Sequence, residues 1–238
     1  MLSICILETD ILRPELIGQY SGYGRMFERL FARQPVPARF SVFNVVRGEY
    51  PPDGQVFDAY LVTGSKADSF GSDAWIETLR GFLLRRYEEG ARLLGVCFGH
   101  QLLALLLGGR CGRAAKGWGV GVHRYRLEQT LPWMTPSAEG FGMLVSHQDQ
   151  VTVLPEGAQL LASSEFCPVA AYRIGEQVLC FQGHPEFVEG YARGLLDLRR
   201  EAYGEPLYQK AISTLNEGHD GALIAQWMLQ FVQATQSQ

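Results

Sequence analysis

The sequence has no cluster of basic residues and only a small excess of acidic ones. Lysine and arginine together number 21 against 25 aspartate and glutamate residues, which leaves a formal net charge of −4. Proteins that follow nucleic acid phosphates need a concentrated lysine and arginine surface. We therefore expect no nucleic acid to bind this chain directly.

The first residues lack the long apolar run of a signal peptide or a membrane span. The apolar part, at 1–7, is followed at once by the acidic residues Glu8 and Asp10. A signal peptide and a bilayer-spanning helix both need a longer stretch. These features predict a cytoplasmic protein that does not enter a membrane.

Cysteine is scarce, and its spacing fits neither a disulfide framework nor a metal site. The five cysteines are an odd number, and no two of them form a C-x-x-C pair. The histidines also lack metal-ligand spacing, and no G-x-G-x-x-G segment opens a helix after a strand. We expect no metal and no nucleotide cofactor. Four of the cysteines are interpreted as small core residues, namely Cys5, Cys111, Cys167 and Cys180.

What the first half does contain is an alternation of short apolar segments with helical ones. We predict strands at 2–7, 40–46, 59–64 and 91–97, and helices at 22–34, at 73–90 and from Gly99 to about Leu107. This alternation indicates a parallel sheet covered by helices on both faces. With 238 residues, 47% of them hydrophobic, the chain can bury one large core. We predict a single domain over 1–238.

After residues 108 and 109 the helical segments give way to strand-like ones. Six such segments are separated by turn residues, at 120–128, 141–147, 150–155, 159–164, 169–174 and 177–183. Such short connections predict hairpins, so this half should extend the sheet with mostly antiparallel strands. From about residue 190 we expect a helical extension, clearest at 221–233. The predicted fold is an α/β three-layer sandwich with a mixed, centrally parallel sheet.

Cys97 lies at the junction between a predicted strand and a predicted helix, between Gly95 and Gly99. The pattern G-x-nucleophile-x-G is typical of a sharp turn that exposes the central side chain at the carboxyl edge of a sheet. Glycine suits both flanking positions because so tight a turn leaves little room for a Cβ atom. Unpaired amides at the start of the helix would favour the thiolate. The sequence therefore predicts that Cys97 is a nucleophile.

A thiolate nucleophile needs a histidine nearby, and His184 is the strongest candidate. It follows the strand-like segment 177–183, and Glu186 lies two residues further on, where it can orient the imidazole. His100 is the competing candidate, but its position just inside the helix would direct it away from the sulfur. Cys97, His184 and Glu186 thus form a predicted nucleophile, base and orienting residue.

Four segments in order resemble the class I, triad-type, glutamine amidotransferases. They are Thr63-Gly64-Ser65, GVCFGHQ at 95–101, SHQDQV at 146–151 and GHPE at 183–186. The third is similar to a segment of the glutaminase domain of GMP synthase. The likeness covers roughly residues 40 to 190 and implies a flavodoxin-like fold.

The resemblance implies roles for the candidate residues. Cys97 would attack the γ-carboxamide of glutamine, His184 would act as base and then as acid, and Glu186 would orient His184. The backbone amides of Gly64 and Phe98 would receive the oxyanion. Four further residues match segments that line the glutamine pocket, namely Gln101, Ser146, His147 and Asp149.

The resemblance implies glutamine hydrolysis through a cysteine thioester, which releases glutamate and ammonia. No segment resembles a synthetase, so any ammonia acceptor would be a separate protein. Stand-alone chains of this kind also resemble γ-glutamyl peptidases, which cleave γ-glutamyl amides of the glutathione type. For such substrates we expect rim residues at Phe70, Trp118 and Phe187. The sequence is also compatible with a catalytically silent regulatory subunit of the same fold and with a cysteine hydrolase of the related chaperone or peptidase type.

Overall fold

A nine-stranded mixed sheet with helices on both faces dominates the computed structural model, which describes residues 1–234. The strands are β1 Leu2–Glu8, β2 Ala38–Asn44, β3 Ala59–Val62, β4 Arg92–Val96, β5 Arg110–Arg113, β6 Gly119–Leu127, β7 Gly140–His147, β8 Asp149–Val153, β9 Ala158–Ser163, β10 Ala171–Ile174 and β11 Val178–Phe181. The α-helices are α1 Pro14–Tyr20, α2 Tyr23–Phe31, α3 Ala74–Glu88, α4 Phe98–Leu106, α5 Glu189–Leu198, α6 Arg200–Tyr203, α7 Glu205–Thr214 and α8 Gly221–Ala234. Short 3-10 helices cover Val45–Arg47 and Leu215–Glu217.

The strand order of the sheet is β2-β1-β3-β4-β11-β10-β9-β6-β7. The strands from β2 to β11 pair in parallel, and the pairs from β11 to β7 are antiparallel. The predicted three-layer α/β arrangement, with a parallel part from the first half and antiparallel strands from the second, is confirmed. That all of it is one domain stays a prediction.

The parallel strands are buried on both faces, as β1 illustrates. Ile4 and Ile6 pack with α2 and α8 in one hydrophobic core, whereas Cys5 and Leu7 pack with α3 and α4 in the other. All four residues are fully buried. Side chains of a strand alternate between the two faces, so an uninterrupted apolar segment is what a doubly covered strand requires.

The parallel strands bring four chain segments to one edge of the sheet. Thr9 follows β1, Thr63 and Gly64 follow β3, Cys97 follows β4, and His184 comes shortly after β11. Because neighbouring parallel strands point the same way, their carboxyl ends meet at the same edge, where open α/β sheets form their ligand sites. Residues far apart in sequence therefore converge there.

Three details of the predicted secondary structure were wrong. The strand predicted at 40–46 ends at Asn44, because the Asn44 side chain accepts a hydrogen bond from the backbone of Arg47 and so caps a 3-10 turn. The segment at 150–155 does not extend the main sheet, because β8 pairs with β5 in a separate two-stranded sheet. The aspartate that begins the predicted helix at 73–90 is suited to cap it, but the Asp73 side chain makes no capping bond, and only its carbonyl accepts from the first turn of α3.

The segment after residue 188 is helical, as expected, and α5, α6 and α7 cover a third hydrophobic cluster beside the antiparallel strands. Helix α8 instead returns to the main core, where Trp227 is fully buried. Within residues 1–234, no helix has both the length and the hydrophobicity needed to cross a membrane.

Candidate active site

Cys97 occupies a strained turn between β4 and α4. Its φ of 51° and ψ of −100° lie in a region that residues with a side chain rarely adopt. A Cβ atom on Gly95 would lie 2.8 Å from the backbone of Gly99, and one on Gly99 would lie 2.8 Å from Cβ of Val62. The expectation that this turn needs glycine on both sides of Cys97 is therefore confirmed.

His184 is buried beside a carboxylate that fixes its orientation. Its Nδ1 lies 2.8 Å from Oε1 of Glu186, and both residues are only 3% exposed. The ring stacks on Phe187, with centroids 3.9 Å apart, and its backbone N–H donates to the carbonyl of Leu144 at 2.8 Å. With Nδ1 engaged by Glu186, the Nε2 atom is the one left for another partner.

The charges around His184 favour the imidazolium form. Burial lowers the pKa of His184, but the Glu186 carboxylate and the Cys97 sulfur together raise it to about 10. The interaction with Cys97 requires the sulfur and the imidazole to face each other closely. A protonated imidazole beside a sulfur is the arrangement that stabilises a thiolate.

Gly64 lies between the cysteine and the histidine. A Cβ atom at this position would lie 2.5 Å from Cε1 of His184 and 3.5 Å from Cβ of Cys97. No side chain fits there without moving the imidazole. Gly64, Cys97 and His184, which come after three different strands, thus meet at one point of the sheet edge.

The peptide group that joins Thr63 to Gly64 is fixed in orientation by hydrogen bonds to its carbonyl oxygen. Its carbonyl oxygen accepts from the Gly99 backbone N–H at 3.2 Å and from the Thr9 hydroxyl at 3.1 Å. In a trans peptide the N–H points opposite to the carbonyl, so these bonds set the direction of the Gly64 N–H. Among residues 1–234, neither this N–H nor that of Phe98 donates a hydrogen bond. Two free donors next to Cys97 can stabilise an oxyanion.

Thr9 is a residue that sequence reasoning missed. Its side chain is fully buried, and its hydroxyl also lies 2.8 Å from the Gly64 carbonyl and 3.0 Å from the Thr63 hydroxyl. Its position directly after β1 places it at the same sheet edge as Cys97, and this position could have identified Thr9 as a candidate site residue from the sequence.

A cavity of about 210 Å³ opens over Cys97 and Phe98. All four residues predicted to line a substrate pocket border it: Gln101, Ser146, His147 and Asp149. Gln101 is held by its amide nitrogen, which donates to the Asp149 carbonyl at 2.8 Å and to the Gln182 side chain at 3.2 Å. The floor of the cavity is therefore firmly positioned.

One wall of this cavity carries two carboxylates close to each other. Burial and the neighbouring Asp68 raise the pKa of Asp149, while Arg113 acts against them. The Arg113 guanidinium lies 3.2 Å from Asp149 and 3.7 Å from Asp68. Asp149 and Asp68 thus share one guanidinium. Neither Asp68 nor Arg113 was singled out from the sequence, because each acts only through contacts between distant segments.

His147 is a neutral member of the same wall. Its Nδ1 lies 3.1 Å from the Asp149 carbonyl, and burial, together with the nearby His123, lowers its pKa to about 3. Within the described chain its Nε2 has no partner. A neutral imidazole donating from Nδ1 leaves Nε2 as an acceptor.

The outcomes for the remaining candidates differ. Trp118 borders the cavity, as predicted. The prediction was wrong for Phe187, which is buried under His184, and for Phe70, which is exposed but does not line the cavity. His100 points away from the sulfur, as expected, and packs on Tyr172 with ring centroids 4.9 Å apart.

A larger and more open depression of about 890 Å³ lies along β6, β7 and β9. It contains charged side chains such as Arg124, Arg126 and Glu128, but none of the residues described above. Size alone would select this depression. Chemistry favours the smaller of the two cavities, because it is bordered by the Cys97 thiol and by Phe98, whose backbone N–H is free.

Comparison with known proteins agrees with these features. The model of the glutamine amidotransferase class-I family matches residues 70–196. The chain is 30% identical over 217 residues to gamma-glutamyl peptidase 3 of Arabidopsis thaliana, covering 87% of this chain and 86% of that protein. It is also 38% identical over 104 residues to a glutamine-hydrolyzing GMP synthase of Caldicellulosiruptor saccharolyticus, covering 43% of this chain and 20% of that protein.

A solved glutamine amidotransferase from Thermotoga maritima has the same fold. Its TM-score to this protein is 0.77 at 15% sequence identity, and the match covers 97% of this chain and 98% of the other. The predicted fold and the resemblance stated from the four segments are both confirmed. The chain belongs to the class-I glutamine amidotransferase family.

Proposed function

We propose that this protein hydrolyses a γ-glutamyl amide bond through a thioester on Cys97, with the γ-carboxamide of glutamine as its simplest substrate. One observation carries the proposal: a cysteine on a strained turn faces a histidine whose pKa is raised to about 10 by Glu186 and by that cysteine. Such a pair supplies an attacking sulfur and a proton for the leaving amine.

In the first half of the reaction, the Cys97 thiolate attacks the amide carbon. The negative charge that develops on the oxygen is stabilised by the backbone N–H groups of Gly64 and Phe98. His184, protonated and oriented by Glu186, then gives its proton to the departing nitrogen as the C–N bond breaks. Ammonia or a larger amine leaves, and the glutamyl group remains on the sulfur as a thioester.

In the second half, water replaces the amine. The now neutral His184 removes a proton from the attacking water, and the same two N–H groups stabilise the second oxyanion. Collapse of this intermediate breaks the C–S bond, releases glutamate and restores the thiolate beside the imidazolium. Each oxyanion donor contributes about 3 kcal/mol to such a step.

The glutamyl head group would bind in the 210 Å³ cavity. The carboxyl oxygens of Asp149 and Asp68 can accept hydrogen bonds from its α-ammonium group. Gln101, with its amide nitrogen engaged, can offer its carbonyl oxygen to the substrate. Ser146 and His147 complete the set of polar groups that we propose for substrate binding.

A γ-glutamyl peptide is the second candidate substrate. It is favoured by the match to gamma-glutamyl peptidase 3, which covers most of both chains, whereas the match to GMP synthase covers a fifth of that protein. The reaction at Cys97 would be the same, and only the leaving amine would be larger. If glutamine is the substrate, we propose that released ammonia passes to an acceptor on a separate protein, as the similarity to the glutaminase part of GMP synthase suggests.

The five cysteines are all unpaired thiols. A thiolate nucleophile works only while it is kept reduced. We therefore propose a reducing compartment, the cytoplasm, as the place of action.

The decisive test measures glutamate release from glutamine, γ-glutamylcysteinylglycine and γ-glutamylethylamide. A thiol-alkylating glutamine analogue is added in parallel, and the site of labelling is mapped by mass spectrometry. We expect release that is lost in Cys97→Ser and labelling at Cys97. Activity that survives Cys97→Ser, or labelling at another cysteine, would contradict the proposal. Labelling without turnover of any substrate would instead indicate a catalytically silent subunit.

A further inference from the structure

Arg199, just after α5, brings a positive charge to the wall of the cavity above Cys97. It comes from the helical segment after residue 188, to which the sequence pattern assigned no role. Within residues 1–234 its nearest polar partners are neutral: its guanidinium donates to the Ser146 hydroxyl at 3.3 Å and interacts with the Tyr203 hydroxyl. The guanidinium also lies over the ring of Trp118, 5.8 Å from its centroid.

The other two cations of this cavity differ from Arg199 because each has an acidic partner. Arg113 is paired with Asp149, and Lys66 lies 3.2 Å from Asp10. For Arg199, no carboxylate of the described chain comes within the 4.0 Å of an ion pair. Burial opposes the charge of Arg199, yet the tyrosine oxygens around it, Tyr203 foremost, raise its pKa. The site therefore holds a permanent, half-buried and unneutralised cation.

The surroundings of Arg199 fix the direction of its guanidinium. Trp118 supports one face, and Ser146 and Tyr203, which themselves lie 3.2 Å apart, hold an edge. A planar guanidinium that is held in this way has donors left over in a fork that matches the two oxygens of a carboxylate. The same cavity is bordered by the carboxyl groups of Asp68 and Asp149, which are paired with Arg113 and not with Arg199. Arg199 is therefore the cation of this cavity whose charge is left for a ligand.

We propose that Arg199 binds a carboxylate group of the substrate. This inference rests on the proposed γ-glutamyl hydrolysis and deepens it by naming a residue that determines which γ-glutamyl compounds are accepted. The carboxylate can come from two sources, the α-carboxylate of the glutamyl group or the carboxylate of an amino acid on the leaving amine. Both sources present the same chemistry to Arg199.

The experiment uses two pairs of compounds, each differing by one carboxylate. Glutamine is compared with its α-carboxamide, and γ-glutamylglycine is compared with γ-glutamylethylamide. Values of kcat/KM are measured for the wild-type protein, Arg199→Gln and Arg199→Lys. Arg193→Gln is the matched control, because Arg193 is exposed on α5, the helix that ends directly before Arg199, and lies outside the cavity.

We expect Arg199→Gln to lower kcat/KM by roughly 10- to 100-fold for the member of one pair that bears the extra carboxylate and to leave the member that lacks it nearly unchanged, as for the loss of a hydrogen bond to a charged group. Arg199→Lys should retain part of the preference, and Arg193→Gln should retain all of it. The pair that responds identifies the source of the carboxylate. An equal loss for both members of each pair, or no loss at all, overturns the inference.

Failure of this inference is distinct from failure of the proposed reaction. If the wild-type protein releases glutamate and Cys97→Ser does not, the reaction stands whatever Arg199→Gln does. If no compound is turned over, binding of the same four compounds to Cys97→Ser, with and without Arg199→Gln, is measured by calorimetry. Equal affinities for both members of each pair in Cys97→Ser overturn the inference in that case also.

Discussion

Replacing Gly64 with alanine tests the geometry of the site with a single added methyl group. The new Cβ would lie 2.5 Å from Cε1 of His184, whereas carbon atoms in favourable contact are about 3.5 Å apart. One of the two must therefore move by about 1 Å. His184 cannot retreat freely, because Phe187 stacks against the ring at 3.9 Å and Glu186 holds Nδ1 at 2.8 Å.

The expected cost can be estimated from this displacement. A misplacement of about 1 Å of a catalytic group can cost about 100-fold in rate, and loss of an oxyanion donor costs roughly 100- to 1000-fold. We expect Gly64→Ala to lower kcat for glutamate release by roughly 100- to 1000-fold, which corresponds to about 3 to 4 kcal/mol. KM should change much less, since the cavity residues that would bind the glutamyl head group are untouched.

Gly18→Ala is the matched control for this variant. Gly18 lies in α1, a Cβ there would meet nothing within 4 Å, and the change should leave turnover unaltered while favouring the helix by up to about 1 kcal/mol. Steady-state assays and thermal unfolding of both variants are compared with the wild type. Wild-type turnover in a folded Gly64→Ala protein would refute the assignment of Gly64, Cys97 and His184 to one reacting centre.

Three further predictions concern strain, charge and positioning. Cys97→Gly should be more stable to urea than Cys97→Ala by about 1 kcal/mol, since only glycine relieves the backbone strain at φ 51°; equal stabilities would contradict the strain argument. Because the pKa of His184 is raised from 6.5 to about 10 on folding, its contribution to the free energy of unfolding is complete below pH 6.5 and falls as the pH rises from 6.5 to 10. This fall, measured by urea titration, should be smaller in Glu186→Gln, and an unchanged slope would exclude Glu186 as a cause. Thr9→Val should lower kcat about 10-fold or more with little change in KM, and Thr9→Ser should restore it; if valine and serine act alike, the Thr9 hydroxyl does not position the Gly64 N–H.

The sequence predicted the part of the site that depends on local chain geometry. Cys97, His184 and Glu186 each occupy a position next to a strand end, and strands are recognisable from apolar segments bounded by glycine or proline. Parallel pairing then brings such ends together without further information. For this reason both the parallel sheet and the meeting of Cys97 with His184 could be predicted.

The rest of the site depends on packing that a linear pattern does not encode. Arg199 reaches the cavity only because α5 packs against β7, and nothing in its neighbouring residues indicates that partner. The pairing of β8 with β5 was missed for the same reason, since the short strand Arg110–Arg113 has no alternating pattern and gains its form from its partner. Phe187 was wrongly assigned to the rim. An aromatic side chain near a site can pack in the interior or lie at the surface, and the sequence alone does not distinguish the two.

The central place of β11 in the sheet has a consequence during synthesis on the ribosome. This strand is the last in the sequence, yet it fills the gap between β4 and β10. Until residue 181 has been made, β4 remains an open edge that can pair with other nascent chains, and the thiol next to it has no imidazole partner. A chain released before that point would therefore be prone to aggregate and unable to react. Insertion of β11 between β4 and β10 both covers the open edge of β4 and brings His184 to Cys97.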